Sequence, residues 1–203
     1  MATIGNAPVF PTQSVLPGNL EVTGNATING TTNSVGALTE NSNEVLNVTN
    51  NTFFATDFWR LTANTTAVTG GMVITSNLAR AGANYGIVGT GMTESSGVFT
   101  FPSTGIWRIA AKFQMERYVT NSIIQTRIWT TSDGGTTNFR ESSEGWTGSD
   151  DNLTIFNETH FDVTDTSQCT VQFGCQVYTA NQTMKGDTTE NRTCFFFQRL
   201  GDT

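Results

Sequence analysis

The chain carries a single histidine, His160, and any acid–base or metal chemistry has to be asked of it first. A Ser-His-Asp triad uses histidine as the base between an acid and a nucleophile. Asp162 lies two residues on, so on a strand it shares a face with His160. No serine stands in a nucleophile-elbow setting, and catalysis is not expected here. A zinc site needs clustered histidine and cysteine. One histidine with Cys169, Cys175 and Cys194 does not supply that cluster. Three cysteines at irregular spacing are not a disulfide framework either. Cys169 and Cys175 are six residues apart, share a strand face and sit too far apart along one strand to bond. Cys194 could approach either of them from a neighbouring strand. All three are expected as buried free thiols that pack as small hydrophobes.

The loop carboxylates Glu141, Glu144, Asp150 and Asp151 have the hard oxygens that Ca²⁺ prefers, but no EF-hand spacing. They are expected to be solvated charges. Paired carboxylates for glycoside hydrolysis come from distant strands, so spacing neither supports nor excludes them. No enzyme, metal or cofactor is expected. The aromatic side chains Trp129 and Trp146 flank polar loops, and Tyr118 and Tyr178 follow strand ends. With asparagine and aspartate nearby, such rings make sugar-binding surfaces, and they also make subunit interfaces. Both roles stay open for these four.

The elements that must position these groups centre on residues 96–113. Val98, Phe99 and Phe101 are strand formers. Pro102 ends that strand because it lacks a ladder N–H. Gly105 supplies a positive φ where the chain turns. Trp107, Ile109, Ala111, Phe113 and Met115 then alternate with Arg108, Ala110, Lys112 and Gln114. A period of two predicts a sheet with one buried face.

The pattern Gly97-x-Phe99-Thr100-x-Pro102-x-x-Gly105-x-Trp107 resembles the C1q/TNF-like jelly roll, and the closing run Cys194–Leu200 looks like that family's last strand. The resemblance covers roughly residues 52–203. It implies an all-β jelly-roll sandwich, a homotrimer whose N-termini feed a stalk, and recognition rather than catalysis. In a trimeric knob an apolar outer face has to be buried, which favours the interface role for Trp129, Trp146, Tyr118 and Tyr178. The collagen-like stalk of many such proteins is absent.

Composition points the same way. The 203 residues are rich in Thr, Asn, Gly and Phe, with only 13% charged, which suits strands and turns rather than helices. A net charge of −7 argues against a nucleic-acid partner. No apolar run reaches transmembrane length, so no membrane insertion is expected. The N-terminus has no basic region followed by an apolar core, so it does not read as a signal peptide.

Three segments follow. Residues 1–17 form an extended arm with Pro8, Pro11 and Pro17. Its apolar residues Ile4, Val9, Phe10, Val15 and Leu16 fit an anchor in a partner's groove, or else a free terminus. Residues 18–51 form an Asn/Thr-rich β stalk. Short apolar pairs such as Leu20/Val22 and Leu46/Val48 are split by Gly-Asn and Asn-Gly turns, and residues 20–33 resemble phage tail-fibre sequence. Residues 52–203 form the knob. Its clean half-buried strands are Leu153 to Val163 and Cys169 to Val177. Residues 139–146 read as a short polar segment and 181–192 as a long polar loop. Nine Asn-x-Ser/Thr sequons, Asn157 among them, are expected to be unmodified by glycan.

The expectation is a non-enzymatic virion structural protein made in a host cytoplasm and carried on the virion surface. It would be a trimeric capsid decoration or head-fibre protein, held to a viral capsid or tail protein by its arm. The alternatives are a receptor-binding tail-fibre tip that takes a host surface glycan, and a free C1q-like lectin. A hydrolase on a tail spike ranks last.

Overall fold

The structure is a computed structural model that describes residues 39–40, 43–44, 55–67, 69–82, 85, 87–116, 123–146, 152–178 and 182–203. The chain divides into two compact units, Met1–Asn47 and Val48–Thr203. In the first, strands β1 (Thr39–Glu40) and β2 (Asn43–Glu44) pair antiparallel, Thr39 opposite Glu44. The arm residues Ile4, Val9, Phe10, Val15 and Leu16 lie outside the described residues.

Among the described residues the second unit holds thirteen strands. The first seven are β3 (Thr56–Leu61), β4 (Thr65–Ala67), β5 (Gly70–Val73), β6 (Leu78–Arg80), β7 (Thr93–Ser95), β8 (Val98–Thr100) and β9 (Gly105–Glu116). They are followed by β10 (Ile123–Thr131), β11 (Phe139–Trp146), β12 (Asn152–Val163), β13 (Thr170–Val177), β14 (Gln182–Met184) and β15 (Cys194–Gly201). One sheet runs β11-β10-β13-β8-β7 and the other β4-β14-β9-β15-β3-β6, with β12 paired to the free edge of β9. Every pairing between these strands is antiparallel. Strand β5 runs beside β13, where the Ile74 N–H donates to the Phe173 carbonyl at 2.8 Å.

The organising strand is β9. Its twelve residues alternate buried and half-buried without a break, which extends the alternation expected for residues 107–115. Trp107, Ile109, Ala111, Phe113 and Met115 enter the core, and Arg108, Ala110, Lys112 and Gln114 face out. The corner before it, residues 101–104, carries the chain from one sheet to the other. Gly105 has φ +131°, and a Cβ there would lie 2.4 Å from the Gly201 carbonyl oxygen, so only glycine fits. Trp107 Nε1 donates to the Ser103 carbonyl at 3.1 Å, and Arg199 Nε to the Thr104 carbonyl at 2.8 Å. Both bonds tie the corner to strands of the second sheet.

The core between the sheets is aromatic. Phe99 from the smaller sheet meets Trp59 edge-on at 5.2 Å and Phe197 at 5.2 Å, and Phe173 stacks on Phe195 at 4.2 Å. These rings fill most of the gap between two stacked sheets. Cys169, Cys175 and Cys194 are buried and free, as expected. Burial pushes the Cys175 thiol up to about 12 and raises the Cys194 thiol as well.

Two segments differ from their sequence reading. Residues 139–146 form an edge strand, β11, paired with β10 from Ile123–Trp146 to Thr130–Phe139. The run from 181 to 192 is not one polar loop. It contains β14, whose Gln182 and Met184 are fully buried and which pairs with both β4 and β9. A three-residue strand with a single apolar side chain leaves no periodic trace.

Candidate functional site

Alternation along β9, β12, β15 and β3 leaves one row of side chains on the outer face of the larger sheet. The register places Phe196 and Glu158 on either side of Ala110, Phe156 opposite Lys112, His160 opposite Arg108, and Phe58 opposite Phe196. Three aromatic rings therefore share an outward face. Phe156 is 67% exposed. Phe196 lies 6.3 Å from Phe58, which stacks on Tyr85 at 5.3 Å, and Tyr85 is 55% exposed. Ala110 is the small residue in the middle, and the surface dips there. The depression holds about 340 Å³ between Phe156 and Phe196, with Ala110 and Cys194 in its lining.

Charges rim the strip, and two of them form an ion pair. Arg108 Nε and Nη2 donate to the two Glu158 carboxylate oxygens at 2.8 and 2.6 Å. That fork holds the Glu158 carboxyl below its ordinary value and raises the Arg108 guanidinium above its own. The Arg108 guanidinium also lies 5.9 Å from the Phe196 ring centre. Lys112 Nζ donates to the Asn191 carbonyl at 2.5 Å.

Beside the strip, the Asp57 carboxylate is buried under Phe58 and Arg80. It accepts from Trp59 Nε1 at 2.8 Å, from the Met92 N–H at 2.8 Å and from Arg80 Nε at 3.1 Å. Arg80 in turn lies over the Trp59 ring at 4.7 Å. A fully hydrogen-bonded buried carboxylate pins β3, β6 and the chain before β7 together. This holds the Phe58–Tyr85 end of the strip in place.

The sequence-derived site residues fall elsewhere. Trp129 is half-buried on the outward face of the smaller sheet. Trp146 is the last residue of β11, in register with Ile123. Tyr178 follows β13 and is 53% exposed. Tyr118 lies outside the described residues. The structure therefore puts Trp129, Trp146 and Tyr178 on or beside one sheet, and Phe58, Phe156 and Phe196 on the other. The outward position of the second set follows from strand alternation alone. In Phe195-Phe196-Phe197 the middle ring must face opposite to its neighbours, and in Ile155-Phe156 one of the two must face out.

His160 is exposed, next to Glu158 and Asp162 on the same face of β12. Glu141 and Glu144 are exposed on β11, and Glu144 accepts from Gln125 Nε2 at 2.6 Å. Asp150 and Asp151 lie outside the described residues. Among the described residues no group of three or more His, Cys, Asp or Glu could hold a metal ion.

No protein-family model and no curated protein matches the sequence. Solved structures do match. Murine APRIL aligns with a TM-score of 0.51 at 13% identity, covering 72% of this chain and 99% of its own. The Eiger TNF of S. frugiperda aligns with a TM-score of 0.52 at 6% identity, covering 74% of this chain and 94% of its own. At these identities the likeness concerns the fold alone. The Val48–Thr203 unit is an all-β two-sheet sandwich with the architecture of a TNF-family jelly roll.

Proposed function

We propose that this protein is a non-enzymatic virion structural protein, a homotrimeric capsid decoration or head-fibre protein with a projecting jelly-roll knob. The observation that carries the trimer is the outer face of the larger sheet. Phe58, Phe156 and Phe196 stand there around Ala110, with a paired Arg108–Glu158 fork at the rim. An aromatic centre with a paired polar rim is the anatomy of a protein–protein contact. The virion role is supported by the sequence of residues 18–50, whose short Asn/Thr-rich rungs resemble phage fibre segments. The apolar arm, residues 1–17, suits a partner groove on the shell.

Light scattering of the full chain tests the first half. Three times the mass of one chain is expected, and Phe156→Glu, which replaces an exposed side chain, should give a folded monomer. A folded wild-type monomer at micromolar concentration overturns the trimer. Mass spectrometry of density-purified particles tests the second half. The chain should be present in the particles and lost from them when residues 1–17 are deleted. Recovery only in the soluble fraction overturns it.

A further inference from the structure

Arg127 occupies an outward position in the middle of β10, yet it is only 8% exposed. The register explains how. It lies opposite Gly174 on β13 and Ser142 on β11, two small residues, so its long side chain lies down along the sheet. Its Nη1 comes to 3.9 Å from where a Cβ on Gly71 would stand, so β5 closes one side. Nε and Nη2 donate to Gln125 Oε1, and Nη2 donates also to Gln176 Oε1. These acceptors are neutral. Arg80, Arg108, Arg192 and Arg199 each pair with a carboxylate, whereas Arg127 makes no ion pair among the described residues. Glu144 is held one side chain away, through Gln125 Nε2. Burial lowers the guanidinium below its ordinary value, Arg140 lowers it further, and Tyr178, Cys175 and Glu144 offset only part of this. A desolvated guanidinium with only amide partners is costly by itself, and a carboxylate in the fork would offset that cost.

The surroundings indicate what bears the carboxylate. The Arg127 guanidinium lies 5.9 Å from the Trp129 ring centre, and the ring rests against Gly174. Trp129 is half-buried, which leaves part of a flat apolar surface open beside the cation. The Gln125 and Gln176 Oε1 atoms and Gln125 Nε2 are engaged, and the Gln176 amide nitrogen stands beside the cation as a donor of the kind a hydroxyl group takes. We propose that this outer face of the β11-β10-β13 sheet binds an acidic sugar, with the Arg127 guanidinium taking the carboxylate and the Trp129 ring the apolar face of the pyranose. The site lies on the opposite sheet from the proposed subunit contact and does not depend on it.

Calorimetric titration of the full chain with sialyllactose, glucuronic acid, lactose and a glutamate-rich peptide tests the assignment. Both acidic sugars should bind, and lactose should bind about tenfold more weakly or worse, because it cannot use a charge-assisted fork. Arg127→Gln should abolish the preference for acid while melting no lower than the wild type, since it removes an unpaired buried charge. Trp129→Ala should weaken both acidic sugars with Arg127 intact. It serves as the second variant should Arg127→Gln fail to fold. Three results would each overturn the proposal: no heat from either acidic sugar at millimolar concentration, equal affinity for lactose, or a preference for the peptide, which would make this a protein-docking patch.

Discussion

Thr126 of β10 and Asn157 of β12 meet across the sandwich. Thr126 Oγ1 lies 2.5 Å from Asn157 Oδ1, and Asn157 Nδ2 donates to the Thr126 carbonyl at 3.2 Å. The two residues belong to different sheets, so this pair stitches the layers at the end where β10, β11 and β12 crowd together. Asn157 is 3% exposed, so this Asn-x-Thr sequon is closed to a glycosyl donor in the folded chain. Asn157→Ala removes both bonds and leaves the Thr126 hydroxyl only its longer bond to the Ser143 carbonyl at 3.4 Å, and the cost should be about 0.5–1.5 kcal/mol per bond lost in urea unfolding. The double variant Thr126→Val with Asn157→Leu should recover part of that loss, because both polar side chains then leave together. An Asn157→Ala protein as stable as the wild type would mean that the stitch contributes nothing.

Gly174 and Met72 fix where β5 lies against β13. A Cβ on Gly174 would stand 1.9 Å from the Met72 carbonyl oxygen and 2.8 Å from the Trp129 ring. Backbone cannot yield as a side-chain tip can, so Gly174→Ala should push β5 off the sheet and break the bond from the Ile74 N–H to Phe173. Overpacking of this kind costs about 1–3 kcal/mol, and the loss of the bond adds to it. Gly71→Ala is the control. Its Cβ would meet only Arg127 Nη1 at an ordinary 3.9 Å, and the change should stay within about 0.5 kcal/mol. Chemical denaturation of the two variants side by side checks the contrast, and equal midpoints would refute it.

How far the sequence reveals this molecule depends on the length of each signal. β9 shows nine residues of alternation, Trp107 to Met115, enough to identify the buried face residue by residue. β13 does the same with Val171, Phe173, Cys175 and Val177. β14 offers three residues, and the burial of Gln182 comes from its neighbours, not from its own type. The outer aromatic strip was hidden for another reason. Phe156 and Phe196 sit beside stronger core signals, Ile155 and the flanking phenylalanines, and a reading that looks for what goes inside overlooks what is thereby forced outside. Arg127 was unreadable because its burial depends on the glycine and serine opposite it in register, and register is not local information.

Cys175 should be chemically silent. Burial holds its thiol at about 12, so almost no thiolate exists at mildly alkaline pH, and thiolate is the nucleophile. Cys194, though it lines the depression on the outer face, is also raised by burial. Iodoacetamide should leave Cys175 unmodified in the native chain and label it fully in denaturant, as read by peptide mass spectrometry. Native labelling at the denatured rate would place the thiol in solvent and contradict the packing of β13.

Asp133 gives a pH dependence whose sign can be worked out. The turn between β10 and β11 is built around its carboxylate. Oδ1 accepts from the Thr137 N–H at 2.9 Å and from Thr131 Oγ1 at 2.7 Å. These bonds, the Thr137 one foremost, lower the carboxyl from 3.8 to about 2. A carboxyl depressed on folding contributes stability that is fully present above its ordinary value and is lost as pH falls through the folded value. The β10–β11 turn should therefore persist through mild acid and loosen only on approach to about pH 2. Carbon-detected NMR titration should place the Asp133 midpoint near 2. Thr131→Val removes the hydroxyl donor and should move that midpoint up towards 3.8. A wild-type midpoint already at 3.8 would show that the carboxylate does not organise the turn.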